Sequence, residues 1–440
     1  MHDFKNDKRF KGLKPLIERA LLSSPTMHNG AEMKYVQEAY DTEWVTTVGA
    51  NIDELERQVS KYMGKRSVAL ASGTAAIHLA IKLAAEKVYQ SSTGISTPNG
   101  KGYGGSMLGK RVFCSDLTFD ATVNPIVYEG GEPIFIDSEY DTWNMDPEAL
   151  KQAFKLYPDV KIVVLVHLYG TPAKIQEIRK ICSEHKALLI EDAAESLGAT
   201  VDGQPTGSFG DYGIISFNGN KIITGSMGGM LITPDEYSYN KAKKWSTQAR
   251  EEALWYEHEE LGYNYRMSNI VAGLIRGQWD FLETHIKSKR KIYKMYEEGL
   301  RDLPVSMNPM GIVGISNYWL SCGLIEANSM EPMVRNGRSA VYEIVDGKSC
   351  PTEILEALNI YNCEGRPIWK PMHEQPIYSG NSFVKKDGNG RAGSNAYIKM
   401  GGSVAVSSDL FNRGFCLPSD NKMKFEQQKV VIDIIHRCFR

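Results

Sequence analysis

The sequence predicts an α/β protein built on a mostly parallel sheet. Two observations support this. Short apolar runs alternate with helix-like stretches from residue 67 to about 233, as in successive βαβ units. Asp116, His167 and Asp192 each fall at the end of such a run. Right-handed crossovers bring those ends to one edge of a sheet, where ligands bind.

Seven strands are expected, at 67–71, 111–115, 133–137, 162–167, 187–191, 213–217 and 230–233. Helices are expected between many of them, for example at 74–89, 147–156 and 173–185. The stretch 90–110 is rich in Gly and Ser and reads as a surface loop. It contains two decoys. Gly100, Gly102 and Gly105 match G-x-G-x-x-G, but no strand precedes them and no helix follows. Gly104 to Lys110 matches most of a P-loop, but Arg111 stands where Ser or Thr is required. A charged helical pattern at 278–300 leads towards a smaller C-terminal α/β domain. The expected division is therefore 1–280, an N-terminal arm and large domain, and 281–440. Residues 327–350 read as a loop or hairpin of the smaller domain.

The 440 residues suffice for two domains with sizeable cores. Lys+Arg is 51 against Asp+Glu 53, so no basic footprint suggests nucleic acid. The seven cysteines, an odd number, include no C-x-x-C pair. Neither a disulfide framework nor a metal site is indicated, and reduced thiols in a cytoplasm fit best. The N-terminal stretch is too polar for a signal peptide. No apolar run approaches the ~20 residues of a membrane helix.

The chemistry centres on Ser216-Phe-Asn-Gly-Asn-Lys-Ile-Ile-Thr224. Upstream of it, Ala187-Leu-Leu-Ile-Glu-Asp192 ends on an acid. An acid closing a buried strand, followed by a lysine in a Ser-x4-Lys loop, is what a pyridoxal phosphate enzyme needs. Lys221 would form a Schiff base with the cofactor aldehyde. Asp192 would pair with the pyridinium nitrogen, so that the ring draws electrons. Ser72-Gly-Thr74 follows a strand and opens a helix, a natural phosphate site; a plain strand–helix turn capped by Thr74 is the alternative. Asp192 alone also suits a helix cap, Ser216 a turn, and Phe119 a core position. Asn218 and Asn220 read as turn residues.

These segments resemble the DegT/DnrJ/EryC1/StrS sugar aminotransferases, within the fold-type I pyridoxal phosphate enzymes. The likeness runs from about Ser24 to the C-terminus. It is carried by Ser67-Val-Ala-Leu-Ala-Ser-Gly-Thr-Ala-Ala-Ile-His78, Asp116-Leu-Thr-Phe-Asp-Ala-Thr122, Glu191-Asp-Ala-Ala-Glu-Ser-Leu-Gly198, the lysine loop and Gly262-Tyr-Asn-Tyr-Arg-Met-Ser268. By the resemblance, Gly73, Thr74 and Ser216 bind the cofactor phosphate and Phe119 covers its ring. Glu195 lies near its phenolic oxygen, although an outward-facing Glu195 stays open. Asn264 reaches the phosphate of a neighbouring subunit, which implies a homodimer with shared sites. Glu43, Trp44, Val45 and Thr46 resemble the segment that contacts a nucleotide-sugar, with packing the alternative for Trp44. His373 sits in a motif that borders the substrate. Met227, in Gly225-Ser-Met-Gly-Gly229, departs from the family's glycine-rich stretch.

The activity implied is transfer of an amino group from L-glutamate to C4 of a UDP-linked 4-keto-6-deoxy sugar, for bacterial cell-surface glycans. An aminotransferase for a C3-keto sugar or a cyclitol ketone is the alternative. The related 3-dehydratases usually lack the lysine, and a non-catalytic binding module would be expected to keep its cofactor band on exposure to glutamate.

Overall fold

A computed structural model of the chain describes residues 2–90, 105–388, 390–391 and 403–440. All seven expected strands form, within a residue or so of the expected bounds. They are β1 (Arg66–Leu70), β2 (Arg111–Ser115), β3 (Glu132–Ile136), β4 (Ile162–Val166), β5 (Leu188–Asp192), β6 (Tyr212–Ser216) and β7 (Gly229–Thr233). Their order is β1-β7-β6-β5-β4-β2-β3. β7 runs against both neighbours, and the pairs from β6 to β3 are parallel. The sheet has nine strands rather than the expected seven. Phe383–Val384 pairs parallel to β3 and Gly390–Arg391 extends the edge. Two-residue strands are too short to leave a periodic signal in sequence.

Both faces of the sheet are covered, so every residue of β4 is buried. Side chains still alternate between faces. Ile162 and Val164 join one core with Val112 and Cys114, while Val163 and Leu165 join the opposite one with Phe113. The first core holds the helix Gly73–Tyr89, most of whose residues are buried. Its N-cap is Ser72, whose Oγ accepts from Ala75 N–H at 3.1 Å. The helix Pro147–Leu156 starts on a proline behind Asp146, which accepts from Glu148 N–H.

The expected helical pattern at 278–300 is two helices, Asn269–Trp279 and Leu282–Gly299, broken around Asp280. Beyond them an antiparallel sheet orders Val305–Met307, Cys322–Ile325, Gly414–Cys416 and Arg366–Pro367. The 327–350 region carries a hairpin, Met333–Asn336 against Ser339–Tyr342, turning at Gly337 with φ 59°. The division at 280/281 stands as a proposal, and two segments cross it. Phe4, Phe10 and Ala20 pack into the C-terminal core, and Phe383 joins the large sheet.

Gly100, Gly102 and Gly104 of the two decoy patterns lie outside the described residues. Gly105 to Lys110 forms turns that lead into β2 rather than into a helix. Among the described residues no helix is long and apolar enough to cross a membrane, and no cluster of His, Cys, Asp and Glu could hold a metal.

Candidate active site

A cavity of about 270 Å³ opens at the C-terminal edge of the sheet, lined among others by Gly73, Thr74, Phe119, Asp192, Ser216 and Lys221. Most of the expected cofactor contacts therefore converge, although they are scattered along the chain. Two strand ends and one helix start do this. β5 ends on Asp192 and β6 on Ser216. The helix Gly73–Tyr89 presents its first turn, whose N–H groups lack intrahelical acceptors and sit at the positive end of the dipole.

Lys221 lies in a tight turn after β6. Its N–H donates to Asn218 O at 3.0 Å, and Gly225 N–H closes the loop on Phe217 O at 3.0 Å. Its Nζ lies 4.2 Å from the Trp319 ring centre and 3.9 Å from Glu195 Oε1. Burial pushes the amine below its usual range, outweighing the pull of Glu195 and Asp192. A lysine so placed spends more of its time as the neutral nucleophile.

Asp192 is buried, and both its oxygens accept. Thr122 Oγ1 donates to Oδ2 at 2.7 Å and Ala194 N–H to Oδ1 at 3.1 Å. Glu195 faces inward rather than outward. Its Oε2 accepts from Tyr169 N–H at 2.7 Å, and burial raises its carboxyl above the usual range against the pull of Lys221. The raised carboxyl takes up a proton more readily, and in its protonated form a glutamate can donate to an oxygen anion, as a glutamine would. Ser216 Oγ accepts from Asn218 N–H at 3.3 Å. A Cβ added to Gly73 would stand 3.1 Å from Ser216 Cβ, so glycine keeps this corner open. The donor set suits a ligand with a phosphate at the helix start, a carbonyl near Lys221 and a ring nitrogen that gains a proton. Pyridoxal phosphate has those three features.

Other expected residues lie elsewhere. Phe119 lines the cavity mouth, 54% exposed, with its ring 5.4 Å from Trp369. Met227 also lines it and is half exposed. Glu43, Trp44, Val45 and Thr46 form an exposed stretch away from the cavity, with Trp44 O and Thr46 O accepting from Asn269. Asn264 is exposed too, between the inward-facing Tyr263 and Tyr265. His373 is not on the cavity wall. It is buried, donates through Nδ1 to Asp116 Oδ2 at 2.7 Å and stacks on Phe383 at 3.8 Å. His167 is likewise structural, its Nε2 held 2.9 Å from Glu191. Of Asp116, His167 and Asp192, only Asp192 lines the cavity.

Sequence reasoning missed four residues. Thr122 and Thr118 stand in the quoted Asp116–Thr122 motif, and their hydroxyls are 2.7 Å apart. Trp369 stands in the His373 motif and lines the cavity. Trp319 comes from the C-terminal part and had no local signal; its Nε1–H donates to Asn220 O at 2.9 Å.

The sequence profile of the DegT/DnrJ/EryC1/StrS aminotransferase family matches residues 27–436. The chain belongs to this family. It is a pyridoxal phosphate-dependent aminotransferase. The Bacillus subtilis (strain 168) protein EpsN, which carries the name of a pyridoxal phosphate-dependent aminotransferase, is 38% identical over 96% of this chain and 97% of its own length. A GDP-perosamine synthase of Vibrio cholerae is 30% identical over 93% and 97%. Among solved structures, the aminotransferase resembles DesI in the presence of its TDP-sugar product, with TM-score 0.76 and 23% identity over 98% and 95% of the chains. The Streptococcus pneumoniae protein Spr1654 in its PLP-form gives TM-score 0.76 and 19% identity over 96% and 98%. Likeness at that identity speaks for the fold alone.

Proposed function

We propose that this aminotransferase moves an amino group from L-glutamate to C4 of a UDP-linked 4-keto-6-deoxy sugar, for bacterial cell-surface glycans. The observation that carries the catalytic half is the meeting of Lys221, Asp192 and the Gly73–Thr74 helix start in one cavity. The sugar half is supported by relatives named for nucleotide-linked sugars and for spore coat polysaccharide biosynthesis.

Bound pyridoxal phosphate supplies an electron sink that lets a Cα–H bond of the amino donor break. The chain's own residues then divide the work. Gly73, Thr74 and Ser216 bind the phosphate. Asp192 holds a proton on the ring nitrogen, and Thr122 fixes the carboxylate that does so. Phe119 covers one ring face at the mouth. Glu195 shares a proton with the phenolic oxygen. Lys221 Nζ would hold the cofactor aldehyde and, when free, would take the proton from Cα of the donor as general base and give it up again as general acid. Trp319 and Trp369 exclude water from that path.

The test is a screen of 4-keto sugars linked to UDP, GDP and dTDP, each with glutamate. Glutamate should bleach the cofactor band, and the UDP-linked ketone should restore it while yielding the amino-sugar. Turnover only with a 3-keto sugar or a cyclitol ketone would replace this reading. A band indifferent to glutamate would mean that another compound is the amino donor.

Thr122→Val keeps the shape but removes the 2.7 Å bond to Asp192. Turnover should fall about tenfold, the scale of one hydrogen bond to a charged group, with little change in the KM for glutamate. Unchanged turnover would show that Asp192 is held well enough without it.

Asn264 and the 43–46 stretch are exposed in one chain, which fits a homodimer whose sites each take residues from both subunits. Asn264→Ala and Lys221→Ala proteins, each weak or inactive, should then complement after subunit exchange. About half the dimers would be mixed, with one intact site each, so about a quarter of wild-type activity should return. No recovery after proven exchange would mean that Asn264 acts within its own chain.

A further inference from the structure

A hydrogen-bonded chain of buried Glu32, part-buried His28 and buried His285 runs behind the Lys221 turn, through residues that the proposed reaction does not use. His285, on the helix Leu282–Gly299, places Nδ1 2.6 Å from the carbonyl oxygen of Ile222, the residue next to Lys221. Its Nε2 lies 3.0 Å from Nε2 of His28. His28 Nδ1 lies 2.8 Å from Glu32 Oε1, and His28 N–H also donates to that carboxylate. His28 stacks on Phe281 at 3.8 Å, which fixes its ring plane. Three elements therefore meet here: the segment before the helix Ala31–Asp41, the helix Leu282–Gly299, and the catalytic turn.

The protons can be counted. A carbonyl oxygen and a carboxylate only accept, so His285 Nδ1 and His28 Nδ1 must each carry a proton. The Nε2–Nε2 contact needs one proton between two nitrogens that would otherwise face each other as lone pairs. That makes three protons over four ring nitrogens, whereas two neutral imidazoles carry two. The extra proton is held by the pair as a whole, with the Glu32 carboxylate on its His28 side. Burial and the neighbouring Lys289 and His28 hold His285 below the usual imidazole range, which agrees with a neutral His285.

We infer that Glu32, His28 and His285 form a singly protonated brace that holds the Ile222 carbonyl, and with it the Lys221 turn, so that the three are positioning residues whose grip depends on pH. The inference rests on Lys221 being the reactive amine. The charged and titratable groups facing the pair are Glu32 on one side and Lys289 one turn along the helix from His285. The sign follows from the count. The link is intact at low pH, where the extra proton is bound. It is lost as pH rises and that proton leaves to solvent, because the two Nε2 lone pairs then repel. The Lys221 turn should loosen in that direction.

Neutron diffraction from crystals of the full chain should show three deuterons over the four ring nitrogens of His28 and His285, with both Nδ1 positions occupied. Only two deuterons over the pair would overturn the inference. A second measurement needs no bound cofactor. The amides of Lys221 and Gly225, bonded within the turn, and of Thr224, bonded to Gln278, report its opening by hydrogen exchange. Corrected for intrinsic rate, their protection should fall as pH rises. His28→Phe keeps the stack on Phe281 but has no Nε2–H. It should show about tenfold lower protection at low pH, the scale of one lost hydrogen bond, and no pH dependence. Wild-type protection that ignores pH would reduce the chain to static packing and overturn the brace, while loss of turnover on glutamate alone would bear on the proposed reaction instead.

Discussion

Replacing Lys221 with alanine will abolish transamination and leave pyridoxal phosphate in place. In the proposed reaction the amine carries two jobs at once, the bond to the cofactor and the proton transfer at Cα, and among the described residues the cavity has no second lysine on its wall. Glu195 and Asp192, the nearest titratable neighbours acting on Lys221, are acids already engaged by Tyr169 N–H and Thr122. Turnover should drop by more than about a thousandfold, as expected when a nucleophile and a general base are lost together. The phosphate contacts proposed at Gly73, Thr74 and Ser216 do not involve the lysine, so cofactor should survive gel filtration while its absorbance reverts to that of the free aldehyde. Stopped-flow mixing with glutamate gives the rate. Appreciable turnover in the variant would remove Lys221 from the reaction.

Asp192→Asn should cost about 100-fold in turnover, the scale of one lost charge-stabilising group in a dry site. The amide keeps the volume and can still accept from Thr122, so the fold and the cofactor's pose should persist. What disappears is the negative charge that keeps the ring nitrogen protonated. The loss should appear in the step that removes the Cα proton, seen as a larger kinetic isotope effect with deuterated glutamate. Wild-type rates would mean that another acid faces the ring nitrogen.

Much of this site was readable because its pieces are local. Lys221, Ser216 and Met227 share one loop, and Ser72, Gly73 and Thr74 one helix start. Each segment carries its own signature: an apolar run, then a polar turn with glycine. His373 shows where such reading fails. Its partner Asp116 lies 257 residues away in sequence, and a lone histidine beside a proline-rich motif looks the same whether it faces a substrate or a buried acid. Thr122 was hidden for a similar reason. A threonine in a strand-end turn has no distinguishing neighbour until the fold brings Asp192 to its hydroxyl.

The amino-acid sequence by itself determined the seven strands of the large sheet, the alternation that buries both its faces, and the lysine and acid at the ends of two of them. These follow from periodicity and strand length, which are properties of a few consecutive residues. Only the tertiary structure decided that Trp319, from the C-terminal part, caps the Lys221 amine, and that Phe383–Val384 and Gly390–Arg391 extend the sheet. It alone turned Glu195 inward, where burial lifts its carboxyl, and joined His28 to His285 across 257 residues. Such pairings are set by which surfaces pack together. Burial, in turn, decides which groups keep a proton, and no local pattern encodes either.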